Sequence, residues 1–130
     1  MKLYIPNKLI PLYHISLENH NGEIFYPRIP EGVWDEDEKT PRICVSTSLV
    51  GCIRALDTCL WYPAVKWYVH VPDNLEDLYQ NGSVMMPSEK EVGDVKTTRE
   101  KWIIEPCKMN CIGAIKSVHG KFRCRFRWIK

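Results

Sequence analysis

The sequence predicts a small α+β fold in which one main helix is followed by several antiparallel strands. A helix is indicated by apolar residues that recur at spacings of three and four, namely Leu49, Cys52, Ile53, Leu56 and Leu60. The later part of the chain instead contains short runs rich in β-branched and aromatic residues, such as residues 65–71, which favour strands. One early helix and many later strands are typical of a sheet-dominated core.

The length and composition indicate a single globular domain spanning residues 1–130. A chain of 130 residues can form one hydrophobic core but not two. It contains no apolar run near the roughly 20 residues that a membrane-spanning helix needs. Pro6 and Pro11 interrupt the N-terminal apolar segment, so it does not resemble an export signal. We therefore expect a cytoplasmic protein without a membrane partner.

The elements can be placed along the chain from residue type and turn signals. An early strand is expected at residues 9–15 and a second at 42–46. Ser46, Thr47 and Ser48 then offer hydroxyls that can cap a helix running to about Leu60. The region 88–101 is polar and has room for a single helical turn. Further strands are expected at residues 65–71, 84–86, 102–104 and 111–118, the last after a turn at 109–110.

The C-terminal strand has a cationic face. Aromatic residues and Cys124 alternate there with Lys121, Arg123, Arg125 and Arg127, after a predicted turn at residues 119–120. Residues 116–130 carry six Lys or Arg and no acid. We interpret Arg123, Arg125 and Arg127 as a candidate surface for an acidic protein or a nucleic acid. The alternative is a charged edge that only discourages unwanted strand pairing.

The six cysteines do not form a typical metal-binding pattern. The closest pair is Cys107 and Cys111, and their neighbours alternate as strand residues do. A zinc site usually brings its ligands in pairs separated by two to four residues, with further Cys or His to complete the set. We expect buried free thiols and no metal.

A series of short motifs follows one order along the chain. Tyr13-His14-Ile15-Ser16 end the first strand, and the acidic loop Asp37-Glu38-Lys39-Thr40 precedes Ile43-Cys44-Val45-Ser46-Thr47-Ser48-Leu49. Next come Trp67-Tyr68-Val69-His70-Val71-Pro72 with Glu76-Asp77, and finally residues 102–115. In this order and spacing, over most of residues 10–116, the chain resembles the rifampicin ADP-ribosyltransferase family of the diphtheria-toxin-like transferases.

The resemblance implies both a fold and a chemistry. The fold would be an ADP-ribosyltransferase-like pair of split antiparallel β-sheets with one main helix. The activity would be transfer of ADP-ribose from NAD to a protein or a small molecule. Cleavage of the nicotinamide–ribose bond builds positive charge on the ribose, which a nearby carboxylate stabilises. Small free-standing members in bacteria and their phages modify antibiotics or host defence proteins.

The resemblance also implies roles for individual residues. His14 would hydrogen-bond the adenosine side of NAD, and Cys44 stands where the family has an aromatic residue. The other expected NAD contacts are Ser16, Ser46 and Ser48. The catalytic acid would be Glu76 or Asp77, on the loop after the third strand, with Asp94 or Glu100 as alternatives.

Structural roles compete with each of these assignments. His14 can be a hydrogen-bonded structural residue, Ser46 and Ser48 can be helix caps, and Glu76 and Asp77 can be solvated loop acids. A non-catalytic member of the fold, acting as a nucleotide-binding or inhibitory interaction module, is the alternative function.

Overall fold

The structure is a computed structural model that describes residues 1–30, 37–55 and 66–116, together with the backbone of residues 117–118 and 121–128. The strands and helices are, in chain order, β1 (Lys2–Leu3), β2 (His14–Ser16), β3 (Ile24–Phe25), β4 (Ile43–Ser46), α1 (Leu49–Ala55), β5 (Lys66–Pro72), α2 (Leu75–Gln80), β6 (Val84–Met86), α3 (Val95–Thr98), β7 (Glu100–Ile103), β8 (Cys107–Val118) and β9 (Lys121–Trp128).

The strands form two antiparallel sheets, which agrees with the predicted α+β class. The first sheet has the order β1-β6-β7-β4. In the second sheet the order is β2-β5-β8-β3, and β9 pairs with the end of β8. The two sheets meet where the backbones of Tyr13 and Ser46 exchange hydrogen bonds of 2.8 and 2.9 Å. This junction places the end of β4 beside the start of β2.

The core combines residues from both sheets with one helix. Its buried members are Leu12, Ile43, Val45, Leu78, Val84, Ile103, Cys107 and Met109. Along β4, buried Ile43 and Val45 alternate with Cys44 and Ser46, so the second pair lies on the opposite face of the sheet. No helix in the described ranges is long and apolar enough to cross a membrane.

The predicted start of the main helix is confirmed. The Ser48 hydroxyl accepts the backbone N–H of Gly51 at 3.0 Å, which satisfies one of the free donors of the first turn of α1. The expected end near Leu60 lies outside the described residues. The single turn expected within residues 88–101 is α3.

Two predictions about element boundaries were wrong. Residues 9–12 lie outside the strands, since Pro11 cannot donate to a strand ladder and restricts the residue before it. The expected turn at residues 109–110 lies inside β8, whose start pairs with β3. Residues 104–106, which include Pro106, instead connect β7 to β8.

The segment carrying Glu76 and Asp77 is helix α2 rather than a loop. Leu75, Leu78 and Tyr79 form an apolar stripe against the core, and the two acids occupy the first turn, where the helix dipole favours negative charge.

Candidate functional site

A cavity of about 140 Å³ lies at the junction of the two sheets. Segments that are distant in sequence form its walls: the start of β2, the end of β4, helix α1 and the chain between α3 and β7. The lining residues are Tyr13, His14, Ile15, Cys44, Val45, Ser46, Gly51, Cys52, Ala55, Thr98 and Glu100. Three of the five residues expected to contact NAD, His14, Cys44 and Ser46, are therefore brought together.

The pairing of β4 with β7 forms the wall that carries a carboxylate. Ser46 is the register partner of Glu100, and Cys44 is the partner of Trp102. Directly opposed residues share one face of a sheet, so Ser46 and Glu100 both line the cavity. The nearly buried carboxylate of Glu100 accepts the indole N–H of Trp102 at 2.7 Å. Among the residues that the structure describes, Glu100 is thus the acid that lines this cavity.

Trp102 connects this carboxylate to a buried arginine. The guanidinium carbon of Arg42 lies 4.2 Å from the centroid of the fully buried Trp102 ring, within the range of a cation–π interaction. Arg42 Nη1 donates to the carbonyl oxygens of Asp37, at 2.7 Å, and Thr40, at 3.1 Å. Arg42 therefore connects the acidic loop of the sequence motif to Trp102 on β7.

The hydroxyls of Ser46 and Ser48 are engaged in holding the local backbone. Ser46 Oγ donates to the carbonyl oxygen of Thr98 at 2.6 Å and accepts the backbone N–H of Ser48 at 3.2 Å. Ser46 lines the cavity while tying β4 to α3, whereas Ser48 caps α1 and does not line the cavity. Ser48 thus has the capping role that competed with the NAD-contact assignment, whereas Ser46 connects β4 to α3.

Gly51 allows helix α1 to pack closely against this hydrogen-bonded junction. A Cβ atom at residue 51 would lie closer than 3.0 Å to both the Thr98 carbonyl oxygen and Ser46 Oγ. The absence of a side chain therefore sets the width of the cavity on the helix side.

His14 presents a neutral imidazole to the cavity. Its Nδ1 lies 2.9 Å from the carbonyl oxygen of Cys44, and since a carbonyl only accepts, Nδ1 carries the proton and Nε2 is the acceptor nitrogen. Burial lowers the pKa of His14 below its ordinary value, and the charges of His20 and Arg28 act in the same direction. The ring is thus uncharged at neutral pH.

Behind His14 lies a cluster of aromatic rings that the sequence analysis did not identify. Phe25 contacts His14 at a centroid distance of 5.0 Å, His20 at 5.5 Å and His70 at 5.7 Å. The backbone N–H of His20 donates to Nε2 of the fully buried His70 at 3.0 Å, and the His20 ring contacts the carboxylate of Glu23. Burial lowers the pKa of His70 to about 4, with further contributions from His14 and His20. The cluster fixes the position of the His14 ring.

The thiols at the cavity differ in exposure. Burial raises the pKa of the Cys52 thiol to about 12, and its Sγ donates to the carbonyl oxygen of Tyr13 at 3.3 Å. Cys44 is half-buried on the cavity wall. Cys44, Cys52, Cys107 and Cys111 are free thiols. Among the described residues, no three His, Cys, Asp or Glu side chains are placed to hold a metal ion.

The remaining predicted site residues lie elsewhere. The Ser16 hydroxyl donates to the carbonyl oxygen of Glu18, at 2.8 Å, and is not part of the cavity wall. Glu76 and Asp77 are exposed on α2, and Asp94 is exposed before α3. None of these three acids lines the cavity. Arg123, Arg125 and Arg127 are on β9, where the structure describes the backbone alone.

Comparison with known proteins adds no assignment to this geometry. No protein-family model, no curated protein and no solved structure matches the chain. The functional interpretation therefore depends on the residues of the cavity and on the motifs of the sequence.

Proposed function

We propose that this protein is an ADP-ribosyltransferase-like enzyme that binds NAD at the junction cavity and transfers ADP-ribose to a protein or a small molecule. The observation that carries the proposal is the convergence of His14, from the first motif, and Glu100, from the end of the chain's polar region, on one cavity. The two antiparallel sheets, joined at Tyr13 and Ser46, support the split-sheet arrangement that the resemblance implies.

The size of the cavity suits one ring of the dinucleotide. An engineered cavity of about 150 Å³ in another protein binds benzene, so a volume of about 140 Å³ matches a nicotinamide ring and excludes a whole NAD molecule. In the proposal, the nicotinamide occupies the cavity and the rest of NAD extends from its mouth. The half-buried Cys44 replaces the aromatic residue of the family and contributes thiol contact rather than ring stacking.

The charges of the cavity suit cleavage of a glycosidic bond. When the bond from ribose to nicotinamide breaks, its electron pair leaves with nicotinamide and the ribose carbon becomes cationic. The carboxylate of Glu100 supplies the negative charge that such a cation requires in a water-poor site. The acceptor nitrogen of His14 suits a donating hydroxyl of the ribose next to nicotinamide, whereas the resemblance implies a contact with the adenosine side. Glu100 thereby takes the role that the sequence motif suggested for Glu76 or Asp77.

Calorimetric titration with NAD tests binding separately from chemistry. We expect the parent chain to bind NAD and His14→Ala to bind about tenfold more weakly, which corresponds to one lost hydrogen bond of about 1.4 kcal/mol. Glu100→Gln keeps an acceptor for the Trp102 indole, so we expect it to fold and to bind NAD within a few-fold of the parent. Release of nicotinamide from NAD, followed by chromatography, is expected to fall at least about 100-fold in Glu100→Gln, the scale of losing one electrostatic stabiliser.

Exposed carboxylates supply the matched controls. Glu76→Gln and Asp94→Asn remove a charge outside the cavity, and we expect both to retain nicotinamide release. Absence of NAD binding by the folded parent chain would overturn the proposal. Release that depends on Glu76 and not on Glu100 would move the catalytic acid to α2. Binding without any release of nicotinamide, in the presence of a cell lysate as a source of acceptors, would favour the non-catalytic alternative.

A further inference from the structure

Three positively charged residues occupy one register position across three neighbouring strands of the second sheet. Lys66 of β5 is the register partner of Lys116 of β8, and Lys116 is the partner of Arg125 of β9. Residues directly opposed in an antiparallel pair have Cβ atoms about 5 Å apart, and like charges in such pairs destabilise a sheet. A row of this kind therefore has an energetic cost that a bound anion would offset.

The two lysines of this row are available to a partner. Both Lys66 and Lys116 are exposed, and neither forms an ion pair with an acid in the part of the chain that the structure describes. The Lys66 ammonium lies 5.0 Å from the centroid of the Tyr68 ring. The Lys66 ammonium thus lies beside an aromatic ring, and no carboxylate in the described part of the chain forms an ion pair with it.

Tyr68 occupies the next register row together with small residues. Its partners are Ser16 on β2 and Ala114 on β8, and Ala114 in turn pairs with Arg127. Tyr68 is partly exposed. A partly exposed aromatic ring within this cationic row is a group on which a base of a nucleic acid can stack.

Protection of a sheet edge does not account for this arrangement. Charged residues that discourage strand pairing belong on edge strands. Lys116 instead lies inside the sheet, since it pairs with Lys66 of β5 on one side and with Arg125 of β9 on the other. The positively charged residues therefore extend from β9 to an interior strand, and they form part of the face of the sheet rather than its edge alone.

We propose that this surface, made of Lys66, Tyr68, Lys116, Arg125 and Arg127 and called here the register face, binds single-stranded nucleic acid. Lysine and arginine neutralise successive phosphates, and an accessible aromatic ring stacks on a base. An acidic polypeptide would satisfy the same charges but gives no reason for a partly exposed ring between two small residues. Of these residues, the three whose side chains the structure describes, Lys66, Tyr68 and Lys116, do not line the junction cavity, so each of the two proposals can be tested without the other.

Fluorescence anisotropy with the full chain and labelled 20-nucleotide single-stranded DNA and RNA tests the proposal. We expect binding at 50 mM salt that weakens steeply by 200 mM, with a log–log slope near −0.7 for each neutralised phosphate. The double variant Lys66→Gln, Lys116→Gln should reduce the steepness of that slope by about 1.4, which corresponds to two lost phosphate contacts. Tyr68→Ala should weaken binding about tenfold with little change in slope, and Tyr68→Phe should retain binding because it keeps the ring.

The control is a double variant of equal charge change, with one lysine on β1 and one in the turn after β6. Lys2→Gln, Lys90→Gln removes two exposed lysines outside the register face, and binding should stay within twofold of the parent. No anisotropy change at 50 mM salt, or equal losses in the two double variants, would overturn the proposal. Polyglutamate that displaces the oligonucleotide at equal charge concentration, together with full binding by Tyr68→Ala, would reassign the surface to an acidic protein. Circular dichroism melts establish that each variant is folded, and the Tyr68→Phe arm tests the ring if Tyr68→Ala does not fold.

Discussion

The packing of α1 against α3 depends on residue 51 having no side chain. A Cβ atom there would lie closer than 3.0 Å to the carbonyl oxygen of Thr98, a backbone atom, and to Ser46 Oγ. The same two atoms form the 2.6 Å hydrogen bond that ties β4 to α3. We therefore predict that Gly51→Ala forces α1 away from this junction and destabilises the protein.

The size of the effect follows from three contributions. Insertion of one methyl group into close-packed surroundings costs about 1–3 kcal/mol. Disruption of the hydrogen bond from Ser46 to Thr98 costs about 0.5–1.5 kcal/mol. Alanine within a helix recovers about 1 kcal/mol relative to glycine. The free energy of unfolding should therefore fall by about 2 kcal/mol, against the sign that helix propensity alone predicts.

Urea denaturation followed by tryptophan fluorescence measures this change. Gly93→Ala is the matched control, because a Cβ atom at residue 93 meets nothing within 4 Å and the backbone there is not left-handed. We expect its unfolding free energy to stay within about 0.5 kcal/mol of the parent. A Gly51→Ala protein as stable as the parent, or more stable, would refute the close approach between α1 and the junction.

Two further predictions concern the histidine cluster and the core. An unfolded histidine titrates near 6.5, whereas burial lowers the pKa of His70 to about 4, so the unfolded chain binds the proton first as the pH falls. The free energy of unfolding should not depend on this group above about pH 6.5, and it should fall by up to about 3 kcal/mol between pH 6.5 and 4. In His70→Gln the fall should be smaller. Parallel pH profiles of urea denaturation for the parent and this variant would contradict the prediction. The Tyr79 hydroxyl donates to the carbonyl oxygen of Ile10 at 2.6 Å, so Tyr79→Phe should cost about 1 kcal/mol in thermal unfolding. Tyr26→Phe, which changes an exposed ring, should cost nothing measurable, and equal melting temperatures for both variants would argue against the buried hydrogen bond.

Features that depend on residues close together in the sequence could be predicted from the sequence. The cap of α1 at Ser48 and the alternation of β4 follow from side-chain types within a few positions. Local signals failed where tertiary packing competed with them. Residues 109–110 resemble a turn, yet β8 continues through them because Cys107 and Met109 both enter the core.

The location of the proposed catalytic acid illustrates the same limit. Glu76 and Asp77 match the order of the family's motifs, but their segment is a helix whose apolar stripe faces the core and leaves both acids exposed. Glu100 has no special local sequence context. It lines the cavity because β7 pairs with β4 in the register that sets it opposite Ser46.

Residue types and their spacing were enough to predict the α+β class, the capped helix start, the cationic last strand and the candidacy of His14. Which groups meet depends on the folded chain: His70 lies opposite His14, Glu100 opposite Ser46, and Lys66 in one row with Lys116 and Arg125. Strand register is set by the burial of whole faces across a sheet, so a shift by one residue would exchange every one of these partners.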